Sequence, residues 1–358
     1  MGDRILNRLA IHLTWKCTLR CEKCGAFIPE SYERKLDYDY DYDEIIQSLT
    51  TIFAITDTIN VITLTGGEAI LHKNIVELCE FLLENENKFN RLDFQTNGTI
   101  PFSEKLLKVM NKSSKFNLFI DHYGPDISTN VEQNTLLCST LGVKYQVRKY
   151  YGEHAHMNGW IDWSPRKEKI DMETAKKQFL KCANGQPTKR PFVLYGTKLT
   201  LCAMPFCRYR VGWQPLEDIL MLDLADERLS LKEKEIRLLE MHNTEFNPGC
   251  QYCYGLGVDP NAERFQAGKQ IENNHYVNIV KLINQISPYV EINKNTQLLD
   301  EGILDSMAIL GFITLLEDEF EIEIPDDEIK RENFASIKSI STLIRNLKIK
   351  SEKNDIRA

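Results

Sequence analysis

Cysteine is the residue type whose placement asks for chemistry. Cys17, Cys21 and Cys24 fall within "WKCTLRCEKCGAF" at the spacing C-x3-C-x2-C. Cys182, Cys202, Cys207, Cys250 and Cys253 form a second group, and of the ten cysteines only Cys79 and Cys138 stand alone. Grouped thiols either oxidise in pairs or, as thiolates, hold metal. A closed tetrahedral zinc site takes four ligands, so the first group either draws a fourth from elsewhere or leaves a position open. Thiolates are also the usual ligands of iron–sulfur clusters. Three of them hold three irons of a cubane and leave the fourth iron free to bind another molecule.

These side chains must be positioned by the elements around them. Apolar runs "LAIHLTW", "TINVITLTGGE", "RLDFQTNGT", "FNLFIDHYG" and "GVKYQVRKYY" predict five strands, with helical patterns such as "HKNIVELCEFLLEN", "EKLLKVMNK" and "VEQNTLLCSTLG" between them. Strands separated by helices imply right-handed crossovers and a parallel sheet. Ligands of such sheets and barrels bind at the carboxyl ends of the strands. The cysteine loop follows the first strand and Gly66-Gly67-Glu68 the second, so both belong to one rim. The glycines let a ligand approach the backbone, and Glu68 offers a carboxylate to an ammonium group. Thr96, Asn97 and Asp121 end the next two strands, where they either touch a ligand or cap loops. Cys79 and Cys138 lie in helical patterns and read as small buried hydrophobes.

Past Phe179 the pattern changes. "RPFVLYGTKLTLC" predicts a hairpin turning at Tyr195-Gly196-Thr197-Lys198, bracketed by Cys182 and Cys202, and "NPGCQYCYGLG" adds a C-x2-C pair. Tyr150, Tyr151, Trp160 and Trp163 either line a substrate cavity or belong to the core. Near the C-terminus, Ser306 follows Asp305 in "LLDEGILDSM" and begins a helix whose apolar stripe is Ile309, Phe312, Ile313, Leu316 and Phe320. Between Leu298 and Glu328 there are eleven Asp or Glu and no Lys or Arg. A serine at a helix N-terminus is either a cap or an exposed hydroxyl at a place that favours a phosphodiester.

Bulk properties exclude several classes. With 358 residues, 42% hydrophobic and 27% charged, the composition is that of a globular protein with two or three domains. No apolar run approaches the roughly 18 to 20 residues that span a bilayer. "MGDRILNRLAIHL" has neither the apolar core nor the cleavage site of a signal peptide. A cytoplasmic protein without membrane or nucleic-acid partners is expected, its grouped cysteines reduced and metal-binding.

The C-x3-C-x2-C loop together with "GGE" resembles the radical S-adenosylmethionine (SAM) superfamily. The resemblance implies a [4Fe–4S] cluster on Cys17, Cys21 and Cys24, whose open iron chelates SAM. It also implies reductive cleavage of SAM to a hydrogen-abstracting 5′-deoxyadenosyl radical, with Gly66, Gly67, Glu68, Asn97 and Asp121 in the SAM site. Lys23 stands where many members carry an aromatic residue, which leaves the adenine contact open. Cys182, Cys202, Cys250 and Cys253 resemble the ligands of a twitch/SPASM-like auxiliary domain, implying a second [4Fe–4S] cluster; a zinc ribbon is the rival. Cys207 is surplus: a replacement ligand, a hydrogen-atom donor or a packed thiol. The "LLDEGILDSM" segment resembles acyl and peptidyl carrier proteins, D-alanine carriers especially, implying 4′-phosphopantetheine on Ser306.

The expected fold is α/β: a partial (β/α)6 barrel over 1–175, a small α+β auxiliary domain over 176–262, a linker over 263–272 and an all-α four-helix carrier over 273–350. The expected activity is radical modification of a group tethered as a thioester to the chain's own carrier. Expected partners are a phosphopantetheinyl transferase, an adenylating ligase and a flavodoxin- or ferredoxin-like reductant. The rival readings are a peptide- or small-molecule-modifying enzyme whose last domain only docks, and a non-catalytic zinc protein of an assembly complex.

Overall fold

The computed structural model describes residues 4–271, 274–288, 292 and 296–355. They divide into two compact units, Met1–Gln270 and Ile271–Ala358.

The first unit is built on one sheet with strands β1 (Ile5–His12), β2 (Thr58–Thr65), β3 (Phe89–Thr96), β4 (Phe116–His122), β5 (Tyr145–Lys149), β6 (Pro191–Tyr195), β7 (Lys198–Leu201) and β8 (Met221–Asp223). Its order is β5-β4-β3-β2-β1-β6-β7-β8. The first six strands run parallel. Alternate residues of a strand share a face, and Leu9, Ile11, Ile62, Leu64, Leu92, Phe94, Leu118 and Ile120 are all buried on one face of the sheet. β6 does not continue from β5; it lies on the other side of β1, in register from Arg8↔Pro191 to Ile11↔Leu194. The hairpin forms as its sequence predicts, with Tyr195 paired to Lys198 around Gly196-Thr197. β8, too short for a period to show, closes that edge.

The covering helices carry their own start signals. Asp41 accepts from the N–H of Asp43 and Glu44 to begin Tyr42–Ile55, and Ser103 caps Glu104–Met110. Asp171 caps Met172–Lys181, and Ser230 with Glu233 makes a capping box on Leu231–Asn243. Cys79 and Cys138 are fully buried on their helices, as small hydrophobes would be.

The segment expected as a linker differs over 265–270. Phe265 and Trp160 exchange N–H···O bonds of 2.8 Å, and the Glu22 N–H donates to the Lys269 carbonyl at 2.7 Å. A polar stretch without apolar period reads as linker, but here its backbone groups find partners in loops remote in sequence.

The second unit is helical: Asn274–Ile286, Ser306–Phe320, Arg331–Phe334 and Ile337–Asp355. Phe312, Ile313, Leu316 and Phe320 pack with Ile279, Ile283, Phe334, Ile340 and Ile344 in its core, with Ile309 against them. Among the described residues these four helices match the expected carrier bundle.

Candidate active site

The carboxyl ends of β1 to β4 converge. Cys17, Cys21, Cys24, Gly66, Gly67, Glu68, Thr96, Asn97 and Asp121 all line one cleft of about 300 Å³. The glycines act differently from the sequence reading. A Cβ on Gly67 would stand 2.2 Å from the Lys16 carbonyl oxygen, and one on Gly66, at φ 152°, 2.6 Å from that of Thr14. Their bareness lets the second loop lie against the cysteine loop, where the Gly67 and Glu68 N–H groups donate to Thr14 and Lys16 at 2.7 and 2.8 Å.

Glu68 is buried, and its carboxylate accepts from the Asn97 N–H at 2.7 Å and the Ile70 N–H at 3.3 Å. Burial pushes its pKa up to about 7 against those hydrogen bonds. An ammonium group entering the cleft would favour the ionised form. The Asn97 side chain ties β3 to the cysteine loop, donating to Thr18 Oγ1 at 3.0 Å and facing Cys17 Sγ at 3.6 Å. Asp121 is engaged by Arg148, its register partner on β5, through bonds of 2.5 and 2.8 Å. Arg148 is a residue that sequence reading missed, because only strand register pairs it with Asp121. Lys23 adopts φ 56° and donates to Asp162 Oδ2 at 2.6 Å. Aromatic faces enter this cleft from Tyr123 and Trp160 instead.

The three thiols fit an iron–sulfur cluster. Burial pushes each pKa up, Cys21 to about 12, and neighbouring thiolates add to it at Cys17 and Cys21. Thiolates crowded in this way are stable only with cationic charge among them. N–H donors already point at the sulfurs: Leu19 at Cys17, at 3.4 Å, and Gln270 Nε2 at Cys21, at 3.1 Å.

A second, apolar cavity gathers Cys182, Cys202, Cys250 and Cys253. The Leu256 N–H reaches Cys182 Sγ at 3.2 Å and the Gly255 N–H reaches Cys253 Sγ at 3.3 Å. Burial holds Cys202 at about 12, with Cys253 and Cys182 raising it further. Arg208 lines this cavity, fully buried, giving Nε and Nη2 to the Trp163 carbonyl at 3.0 and 2.9 Å; its Nη1 has no partner among the described residues. A buried guanidinium beside four thiols suits an anionic metal–thiolate centre, and no local pattern marks Arg208 for that place. Among the described residues no three His, Cys, Asp or Glu converge as a single ion requires. Cys207 lines neither cavity; it is buried, 3.4 Å from the Tyr195 hydroxyl. Trp163 packs near Gly25, while Tyr150 is buried against Tyr123.

In the second unit Asp305 accepts from the Ala308 N–H at 2.8 Å, so it caps the helix and Ser306 is the first helical residue. The Ser306 side chain lies outside the described residues.

The family model of the radical SAM superfamily matches residues 11–137, which hold the cysteine loop and β2 to β4. Among solved structures, anSMEcpe with bound AdoMet is 14% identical with a TM-score of 0.45, over 74% of this chain and 93% of that one. Streptococcus suis SuiB is 15% identical with a TM-score of 0.33, over 42% of this chain; the match spans only 35% of SuiB. On the family match alone, residues 11–137 are a radical SAM domain, which implies an enzyme that uses a [4Fe–4S] cluster and SAM and needs a reductant. The phosphopantetheine attachment model matches residues 278–344. D-alanyl carrier proteins of Listeria welshimeri and Listeria innocua are 33% identical over 73 residues, 20% of this chain and 94% of each relative. The chain therefore joins a radical SAM domain to a carrier domain of the D-alanyl carrier protein family, which takes 4′-phosphopantetheine from a transferase. No described helix is long and apolar enough to cross a membrane.

Proposed function

We propose that this enzyme modifies, by radical chemistry, an amino or other acyl group held as a thioester on its own carrier domain. The observation that carries the reading is the union in one chain of a radical SAM domain and a phosphopantetheine attachment domain. In it, Cys17, Cys21 and Cys24 hold the SAM-binding [4Fe–4S] cluster, which when bound supplies the electron that cleaves SAM. Glu68 meets the SAM ammonium, and Gly66, Gly67 and Asn97 keep the two loops together around it. Asp121, oriented by Arg148, faces the same cleft, and Tyr123 and Trp160 supply the aromatic surface that Lys23 does not. Cys182, Cys202, Cys250 and Cys253 hold an auxiliary [4Fe–4S] cluster closed by protein ligands and suited to electron transfer. The apolar cavity around the four thiols and the buried Arg208 suit such an anionic centre.

Ser306 carries the pantetheine arm. Tethering the substrate to the same polypeptide raises its effective concentration to roughly the millimolar range. A cytoplasmic adenylating ligase loads the acid, drawn to the acidic stretch Leu298–Glu328, and a flavodoxin- or ferredoxin-like protein supplies electrons. The test compares wild type with Ser306→Ala after incubation with a phosphopantetheinyl transferase, ligase and candidate amino acids. The variant is expected to release 5′-deoxyadenosine with a chemical reductant, yet gain no arm by intact-protein mass spectrometry and modify no substrate. Substrate modification at the wild-type rate by Ser306→Ala would overturn the tethered reading in favour of a carrier that only docks.

A further inference from the structure

Cys17 takes the Leu19 N–H of its own loop at 3.4 Å and the Asn97 side-chain amide from the end of β3 at 3.6 Å. Cys21 draws its donor from much farther along the chain. Its sulfur faces the side-chain amide of Gln270, 249 residues away in sequence, at 3.1 Å. Gln270 is the last residue of the first unit, at the end of the segment that pairs with the cysteine loop.

Several contacts fix that segment. Cys21 and Gln270 form an antiparallel bridge, the Glu22 N–H donates to the Lys269 carbonyl, and Lys269 Nζ pairs with Glu22 at 2.9 Å. Gly268, at φ 68°, lies so close to Tyr123 that a Cβ would meet its ring at 2.4 Å. The orientation of the Gln270 amide is fixed as well. Its Oε1 accepts from the Arg20 N–H at 2.8 Å, and its Nε2 donates to the Gly268 carbonyl at 2.7 Å. A flipped amide would set donor against donor and acceptor against acceptor, so the remaining Nε2 hydrogen belongs to sulfur.

We propose that Gln270 is a positioning residue for the SAM-binding cluster, whose N–H···S bond to Cys21 holds the cluster at a higher reduction potential than its ligands alone would set. The proposal rests on Cys21 being a cluster ligand. An electron added to a cluster accumulates on its sulfurs, and an N–H donor stabilises that charge.

The test is a redox titration of reconstituted full-length protein, following the electron paramagnetic resonance signal that changes on adding SAM. Gln270→Leu removes the donor and Gln270→Glu replaces it with a negative charge while keeping an acceptor for Arg20. The midpoint is expected to move to more negative potential in the order wild type, Gln270→Leu, Gln270→Glu, with the SAM-sensitive signal retained. Should leucine loosen the strap and shed iron, the glutamate variant carries the comparison. A strap with only a structural role would change iron retention and leave the midpoint where it was; equal midpoints in wild type and Gln270→Glu overturn the proposal. A wild type without any SAM-sensitive signal overturns it together with the assignment of Cys21.

Discussion

Gly67→Ala is the sharpest perturbation of the cleft, because the added methyl would strike backbone and not a yielding side chain. The new Cβ would sit 2.2 Å from the Lys16 oxygen, 2.8 Å from the Lys16 carbonyl carbon and 3.1 Å from Cys17 Cβ. Even a 3.0 Å approach, the limit below which Cβ atoms are essentially never found, requires the loop to retreat by about 0.8 Å. The Gly67 and Glu68 N–H bonds, now 2.7 and 2.8 Å, would then stretch beyond hydrogen-bonding length. Two buried donors left without partners cost about 1–3 kcal/mol each. For a unit of this size that is a fall in Tm on the order of 10 °C. The retreat also carries Glu68 away from Asn97, whose amide it now accepts at 2.7 Å. Thermal unfolding followed by circular dichroism measures the first effect, and 5′-deoxyadenosine release under strong reductant measures the second, expected to fall at least tenfold. A variant with wild-type Tm and wild-type release would refute the idea that these glycines exist to seat one loop on the other.

Gly311→Ala should act in the opposite direction, since a Cβ there meets nothing within 4 Å in the middle of Ser306–Phe320; a gain of about 0.5–1 kcal/mol is expected in denaturant unfolding of the C-terminal unit. His12 is buried against Trp15 and Tyr195, and burial pushes its pKa down to about 3. Between the ordinary histidine value of about 6.5 and that limit the unfolded chain takes a proton that the folded chain refuses. Stability should therefore fall by about 1.4 kcal/mol per pH unit as pH drops through that window, and His12→Phe should flatten the slope; equal slopes in urea titrations would count against it. Arg208→Leu strips the buried charge from the second cavity and leaves the Trp163 carbonyl without its donors. It is expected to lose about half the iron after reconstitution, the half belonging to the second cluster, while the SAM-sensitive signal persists; full iron content would contradict the role given to Arg208.

What the sequence disclosed was whatever is local. The C-x3-C-x2-C spacing lies on one loop, the apolar runs mark β1 to β5, and the stripe from Ile309 to Phe320 marks one helix face. The grouping of Cys182, Cys202, Cys250 and Cys253 was legible from cysteine count and hairpin pattern, although their meeting in one cavity depends on the fold. Other features were invisible because they are made by register or by distant backbone. Arg148 meets Asp121 only because β5 pairs with β4, and β6 joins β1 although nothing in "RPFVLY" names its neighbour. The stretch ending at Gln270 read as polar filler because its bonds run to main-chain groups and side chains remote in sequence, which no local pattern encodes. The glycines of "GGE" were recognised but assigned to ligand approach; the atoms they spare belong to the neighbouring loop.

The pairing of β6 alongside β1 has a consequence for distance. Cys202 donates its N–H to the Pro191 carbonyl, level with Arg8 in the adjacent strand, whereas the first cysteine loop departs beyond His12. Four residues of strand rise, roughly 13 Å, therefore separate the two ends along the sheet. That interval is set by the main-chain ladders of the buried sheet and not by the loops that carry the thiol groups.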